Sequence, residues 1–475
     1  MRGLTVQVRD PVVGRVADVL DQRLQTHTDA PLAVALSGGS DSLALLHLVS
    51  GWARLNGRSI LALTVDHGLQ ADSAGWADRC AAMAAERGRG HRILTWTGDK
   101  PKTGLPAAAR AARHALLADA AREAGATVLL MGHTASDLGE SAAMRAAGST
   151  VPDAREWGPS PVWPEGRDVF ILRPLLGLKR GELQDWLAAR GATWIDDPAN
   201  LDLRYARARA RAGLRTPSSS PRGSLLPLRE KVAAKPTDEG SRQPVRSFDQ
   251  RLPAALRVID PSSGAPRHLL PQGEKEALTA AERAGIISLP RNPSPKALAA
   301  ACLCAAGTSA PPRTEQVAAL LERLAHEDVI ASLAGARIEA AGDQLTITRE
   351  TGELSRAPQP PLPLSQNEPA VFDGRFELTA TAPGLAVQPL RGHAARLPKA
   401  QEAALKALPA AARGSLPLVT DGAGLWTCPI LADSPSVRIR SLVQARFEAA
   451  LGLIVREADA HPVAQRGEPG GGALH

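Results

Sequence analysis

Short apolar runs alternate with longer helical patterns through the first part of the chain. Residues 32–36 form one such run and stop at a glycine turn, after which residues 42–48 repeat apolar side chains at helical spacing. Residues 60–65 make a second run before an expected helix at 74–87, and residues 93–96 a third before a long alanine-rich helix at 106–124. A fourth run, 127–131, leads into a helix that starts near Ala135. Apolar strands spaced by helices predict an α/β fold, a parallel sheet with helices on both faces. Right-handed crossovers bring every strand-to-helix loop to one edge of that sheet, where open α/β folds bind ligands.

The pattern breaks at Thr216. Pro, Ser, Gly and Arg dominate from there, helical periodicity is lost, and Pro217-Ser218-Ser219 with Leu225-Leu226-Pro227 is echoed by Pro261-Ser262-Ser263 with Leu269-Leu270-Pro271. Two copies are too few for a solenoid, so the stretch reads as a low-complexity, mostly disordered insert. Helical spacing returns near Ala280, at 295–299 and 314–324, and β-like pieces follow at 336–339, 344–349 and 370–379. The expected organisation is a nucleotide-binding domain over 1–215, the insert over 216–279, a helical substrate-binding domain over 280–350, and a region of uncertain fold over 351–475. Together the last two make a smaller helical or α+β part.

Composition narrows the class. A length of 475 residues suits about three domains. Hydrophobic residues make up 44% and aromatics only 3%, so alanine, leucine and valine must do most of the packing. The formal net charge of +7 is compatible with a polyanionic partner and does not by itself single one out. The four cysteines, Cys80, Cys302, Cys304 and Cys428, form no CxxC pair, so a zinc or cluster site is not indicated. Residues 1–13 lack the apolar core of a secretory signal, and no apolar run approaches the roughly 20 residues needed to span a bilayer. A cytoplasmic protein without membrane contact is expected; oligomeric state is not legible.

The chemistry concentrates at the predicted loop edge. Ser37-Gly38-Gly39-Ser40-Asp41-Ser42 follows the first strand and opens a helix. Two glycines let the backbone approach an anion, and successive N–H groups at a helix N-terminus cradle phosphate. Asp41 would repel phosphate unless a cation lies between, which points to Mg²⁺ bridging it to a pyrophosphate. No GxxxxGK[ST] occurs, so an ordinary P-loop NTPase is not indicated. After the fourth run come His133, Asp137 and Glu140, whose i, i+4, i+7 spacing predicts one helix face able to hold an ammonium or a metal-bridged phosphate. Arg110 and Arg113 share a face of the preceding helix. Arg204, Arg207, Arg209 and Arg211 form a basic arm suited to nucleic-acid phosphates or to the nucleotide.

These motifs together resemble a known family. Ser37–Ser42 is similar to the pyrophosphate loop of the PP-loop ATPases, the N-type ATP pyrophosphatases of adenine nucleotide alpha hydrolase-like fold. Val65-Asp66-His67-Gly68-Leu69 resembles the VDHGL element of tRNA(Ile)-lysidine synthetases, which in that family lies beside the adenosine. Ala109 to His114 resembles their A-R-x-x-R-Y helix, with His114 at the tyrosine, and Gly132 to Ser141 resembles G-H-x-x-D-D-x-x-E-T, with Ser136 at the first aspartate and Ser141 at the threonine. Leu172-Arg173-Pro174-Leu175-Leu176 with Lys179 and Arg180, and Trp194 to Asn200, resemble further family segments.

The resemblance implies ATP and Mg²⁺ as cofactors, with a tRNA(Ile) bearing CAU and free lysine as substrates. The implied reaction is adenylation of C2 of the wobble cytidine, then ligation of lysine with release of AMP. It implies ATP contacts from Ser37, Gly38, Gly39, Ser40, Asp41, Ser42, Asp66 and His67, with Asp41 as metal partner. Asp41, His133, Asp137, Glu140, Arg113 and Arg207 become the catalytic candidates, and Arg204, Arg207, Arg209 and Arg211 would contact tRNA. Competing readings are another PP-loop tRNA-modifying enzyme of the 2-thiocytidine type, or a catalytically degenerate tRNA-binding paralogue.

Overall fold

The computed structural model describes residues 10–69, 72–149, 154–195, 278–356 and 359–460. The 216–279 insert lies outside them, apart from its last two residues, as do the tail beyond Ala460 and the arm of Arg204, Arg207, Arg209 and Arg211.

The N-terminal sheet grows from β1 (Leu32–Ala35), β2 (Ile60–Asp66), β3 (Gly90–Thr95), β4 (Val128–Leu130), β5 (Trp157–Pro159) and β6 (Phe170–Leu172). Their spatial order is β3-β2-β1-β4-β6-β5, parallel throughout except that β5 runs antiparallel to β6. Helices α1 (Pro11–Arg23), α2 (Ser40–Leu55), α3 (Ser73–Ala85), α4 (Leu105–Glu123), α5 (Ala135–Ala146) and α6 (Arg180–Ala188) accompany it. The chain leaves β1 toward β2 and β3 on one side and returns to place β4 on the other. The switch of strand order therefore falls between β1 and β4, where the loops that follow them diverge and open a crevice.

Strand alternation divides the core into two layers. Leu32, Val34, Val128, Leu130 and Leu172 point to one face, where α1, α2 and α6 cover them with Val16, Leu20, Leu45, Leu46 and Leu187. Ala33, Leu63, Leu129 and Ile171 point to the other, against Leu117, Ala118 and Ala121 of α4. Small side chains on α4 let it lie close to the sheet, which is how a chain poor in aromatics excludes water. Helix α1 has a local cause: Asp10 Oδ1 accepts from the Val12 N–H at 2.9 Å, and Pro11 occupies the first helical position.

Beyond residue 278 the architecture becomes α+β. An antiparallel sheet ordered β7-β10-β9-β8 is built from β7 (Ile287–Pro290), β8 (Ile330–Leu333), β9 (Ala336–Ala341) and β10 (Gln344–Arg349). It buries its apolar face under helices Pro295–Ala306 and Thr314–Leu324. The remaining residues fold into two small antiparallel sheets around Phe376, Leu378, Val387 and Leu418. The β-like stretch at 370–379 is two strands, because Asp373 and Gly374 adopt φ of 50° and 62° and turn the chain between them.

These later elements are tied to the first sheet by buried charge. Arg58, after α2, and Glu457 form a two-pronged ion pair, Nη1 to Oε2 and Nη2 to Oε1, both 2.8 Å. Arg167 and Arg440 both reach Glu377, and Arg440 also pairs with Asp168. All four cysteines are buried and free, and burial pushes the thiols of Cys302, Cys304 and Cys428 up to about 12. They act as packing groups. Among the described residues, no helix is long and apolar enough to cross a membrane.

Candidate active site

The glycine-rich loop bridges β1 and α2 at the strand-order switch. Gly39 is the N-cap of α2 and no side chain caps the helix, so the first-turn N–H groups of Ser40, Asp41 and Ser42 are presented without a capping oxygen. The serines mainly shape the loop. Ser37 Oγ donates to Ser42 Oγ at 3.1 Å, and Ser42 Oγ donates to the Gly39 carbonyl at 3.0 Å. Gly38 has φ of 79°, and a Cβ there would lie 2.5 Å from Ile195 Cδ1. Ile195 in turn donates its N–H to the Gly38 carbonyl at 2.9 Å. Both conformation and space require glycine.

The β4 loop comes equally close from the other side. A Cβ on Gly132 would stand 3.0 Å from the carbonyl carbon and oxygen of Asp41, so glycine at this position lets β4 and α2 approach backbone to backbone. Thr134 then caps α5. Asp137 Oδ2 accepts from the Thr134 N–H at 2.9 Å and from its hydroxyl at 2.8 Å. This cap corrects one expectation. Asp137 and Glu140 lie on α5, but His133 precedes the extended cap residue and stands in the loop, so the three do not share a helix face.

Arg180, at the start of α6, gathers the carboxylates. Its Nε donates to Asp41 Oδ2 at 2.8 Å, its Nη1 to Glu140 Oε1 at 3.1 Å and its Nη2 to Asp137 Oδ1 at 3.4 Å. Its N–H donates to Ser136 Oγ at 3.2 Å, so the serine at the family's aspartate position orients the same arginine through its backbone. Burial raises the Asp41 carboxyl above the usual range, and neighbouring Asp137 adds to this against the opposing pull of Arg180. Burial pushes Asp137 the same way, but the Thr134 hydrogen bonds and Arg180 outweigh it and hold that carboxyl low.

A basic wall faces this acidic group. Arg173, at the end of β6, donates from Nε to His133 Nδ1 at 3.1 Å and from Nη1 to the Arg155 carbonyl at 2.7 Å. Burial and then the surrounding charges, chiefly Arg173, hold His133 down to about 3. His114 is 2% exposed with neither ring nitrogen hydrogen-bonded, and burial with Arg113, Arg110 and Arg173 holds it at about 3 as well. Arg113 also bears on His67, whose ring meets Trp96 edge-on at 6.1 Å. Asp66 Oδ1 accepts the Gly68 N–H at 2.8 Å and shapes the turn after β2.

The structure therefore brings Asp41, Asp137, Glu140 and Arg180 into direct contact, and sets His133, Arg113 and His67 in one electrostatic neighbourhood with Arg110, His114 and Arg173. Arg207 and the other arm arginines lie outside the described residues. Sequence reasoning assigned no role to Arg180, Arg173 or Thr134. Arg180 and Arg173 sit within quoted motifs, yet no spacing rule says which acid or imidazole they will meet.

Fold and loop agree with the family assignment of this region: residues 13–216 match the PP-loop domain family. The chain is 47% identical over 453 residues to the tRNA(Ile)-lysidine synthase of Caulobacter vibrioides, covering 94% of this chain and 98% of that one. It is 35% identical over 333 residues to the enzyme of the same name from Hyphomonas neptunium (69% and 83% covered), and 34% identical over 349 residues to that of Methylobacterium nodulans (72% and 94% covered). The chain belongs to the tRNA(Ile)-lysidine synthase family.

Proposed function

We propose that this chain is an ATP-dependent ligase that joins free lysine to C2 of the wobble cytidine in the CAU anticodon of tRNA(Ile), through an adenylated tRNA, releasing pyrophosphate and AMP. The observation that carries this is the meeting of an uncapped glycine-rich helix start with three carboxylates at the β1/β4 switch. One half suits a triphosphate and the other suits an ammonium. A carbonyl oxygen is a poor leaving group as oxide and a good one as AMP, so fixing the phosphates supplies much of the activation.

In this reading the N–H groups from Gly38 to Ser42 grip the β- and γ-phosphoryl groups, and Asp66 and His67 border the adenosine. The C2 oxygen of cytidine attacks the α-phosphorus and expels pyrophosphate. The ε-amine of lysine then adds to C2, and the C–O bond breaks as AMP leaves. Asp137 and Glu140 attract the lysine cation, Arg113 and Arg207 balance charge developing on phosphate, and Arg204, Arg207, Arg209 and Arg211 hold tRNA phosphates in the domain arrangement set out from the sequence.

Magnesium finds no cage made of protein alone: Asp41 Oδ2 is taken by Arg180, and among the described residues no group of three or more His, Cys, Asp or Glu side chains is arranged to hold a metal. An ion of this kind would take Asp41 as one ligand and complete its shell with phosphate oxygens and water. Mg²⁺ belongs to the proposal only as the counter-ion that accompanies ATP. Incubating the protein with ATP, lysine and a tRNA(Ile) transcript, then digesting the tRNA for nucleoside mass spectrometry, tests the reading. Lysidine formed with one AMP per nucleoside is the expected result; tRNA binding without lysine-dependent AMP release would replace it with the degenerate paralogue.

A further inference from the structure

We propose that Arg173 is a positioning residue that fixes His133 as the neutral imidazole carrying its proton on Nε2, so that His133 meets the nucleotide as a hydrogen-bond donor to a phosphoryl oxygen and removes no proton from lysine. The inference deepens the ligase reading and rests on it for the identity of the acceptor.

A guanidinium has five N–H donors and no acceptor, and it keeps its proton in proteins. Arg173 Nε approaches His133 Nδ1 to 3.1 Å, so that nitrogen must offer a lone pair. Its proton, if the ring is neutral, can only be on Nε2. Arg173 cannot turn away easily. Its Nη1 donates to the Arg155 carbonyl at 2.7 Å, its main-chain N–H donates to the Glu156 carbonyl at 2.8 Å, and the residue is 9% exposed.

The surroundings disfavour a second proton on the ring. Arg173 on the β6 side, and Arg113 and Arg110 with buried His114 on α4, all oppose it; among the described residues Asp137 on α5 favours it. Asp137 is itself committed to the Thr134 cap and to Arg180.

Location supplies the acceptor. The neighbouring Gly132 lies against the backbone of Asp41, at the first turn of the helix whose amides are offered to phosphate. A neutral N–H donor there can bond a phosphoryl oxygen. A base there would need a free lone pair facing substrate, and the only lone pair on this ring is spent on Arg173. The lysine ammonium must therefore lose its proton elsewhere.

Histidine ring nitrogens report this directly. Long-range ¹H–¹⁵N correlation spectra of the full chain, with the His133 signals assigned by their loss in His133→Gln or, if that fails to fold, His133→Asn, should show a protonated Nε2 and a bare Nδ1, unchanged from pH 8 to pH 5.5. A proton on Nδ1, a mixture of tautomers, or titration near the ordinary histidine value would overturn the proposal. In Arg173→Met, where nothing holds the Nδ1 lone pair, the same spectra should show mixed tautomers at pH 8; a single tautomer protonated on Nε2 would also overturn it. Steady-state turnover adds an independent reading. His133→Gln, whose amide can donate from the Nε2 position, should keep at least tenfold more kcat than His133→Ala, with lysine KM unchanged, and equal loss in both would point to a base. The spectra need no turnover, so a failure of the ligase reading and a failure of the tautomer assignment are seen separately.

Discussion

Arg180 donates to Asp41 across 2.8 Å and so ties the start of α6 to the first turn of α2 beside the glycine-rich loop. The same guanidinium reaches Asp137 and Glu140, which makes it the cation that allows three carboxylates to share one crevice. Arg180→Met should leave them mutually repelling and partly dehydrated. With the arginine 19% exposed, the loss should be about 2 kcal/mol, less than for a fully buried pair. Urea unfolding measures it, and adding Asp41→Asn should recover part of the loss. A double variant no more stable than Arg180→Met would mean that Asp41 is not a main source of the repulsion.

The Arg58–Glu457 pair makes a different prediction. Both side chains are at most 1% exposed, and Arg58 also donates to the carbonyls of Gln25 and Ala30. Glu457→Gln leaves a buried guanidinium without its counter-charge and should cost roughly 3 kcal/mol in urea unfolding. Arg58→Met with Glu457→Leu should restore much of it, because the charge and its partner leave together. If Glu457→Gln unfolds at the wild-type midpoint, the pair does not tie the C-terminal segment to the first sheet.

Histidines set the acid limit. Burial and neighbouring arginines depress His114 and His133 to about 3 and His47 to about 4, from 6.5. Their folded forms stay neutral while the unfolded chain takes up protons as pH drops below about 6.5. The unfolded state then binds more protons, so stability should fall continuously from pH 6.5 toward pH 4, by up to about 1.4 kcal/mol per pH unit for His114 and for His133 and by less for the half-buried His47. His114→Phe removes one contribution and an unpaired buried imidazole. It should be more stable than wild type at pH 7 by about 1 kcal/mol, and by more at pH 5. Equal stability differences at the two pH values would contradict the assignment.

Gly38→Ala tests the phosphate loop. An alanine at φ of 79° adds about 1–2 kcal/mol of backbone strain, and its Cβ would collide with Ile195. Calorimetric titration with ATP should show affinity reduced at least about tenfold, equivalent to 1.4 kcal/mol. Unchanged affinity would remove the loop from the nucleotide site.

Much of this arrangement could be read from residue patterns, and the exceptions have physical causes. Strands β1, β2 and β4 are apolar runs because both faces of the sheet are buried there, whereas β3 is an edge strand with little burial and only its apolar second half is legible. Three-residue β5 gave no signal, since its Trp-Gly-Pro carries neither length nor alternation. Helix α1 was missed although Asp10-Pro11 is a legible start signal. The i, i+4, i+7 spacing from His133 runs through Thr134, whose extended backbone, with its N–H held by Asp137, starts the helix only after it. After residue 350, strands of two to five residues are too short for a period of two to emerge. Glycine-rich chemistry was readable because Gly38 and Gly132 answer to local geometry, whereas Arg180 and Arg173 draw their meaning from partners about 40 to 140 residues away.

In the proposed reaction the crevice activates a carbonyl oxygen by giving it to AMP. A tRNA(Ile) carrying ¹⁸O at C2 of the wobble cytidine, incubated with the protein, ATP and lysine, tests it most directly by mass spectrometry of the released nucleotide. One ¹⁸O is expected in the phosphate of each AMP and none in pyrophosphate. Unlabelled AMP, with the isotope retained in the tRNA or released as water, would contradict it.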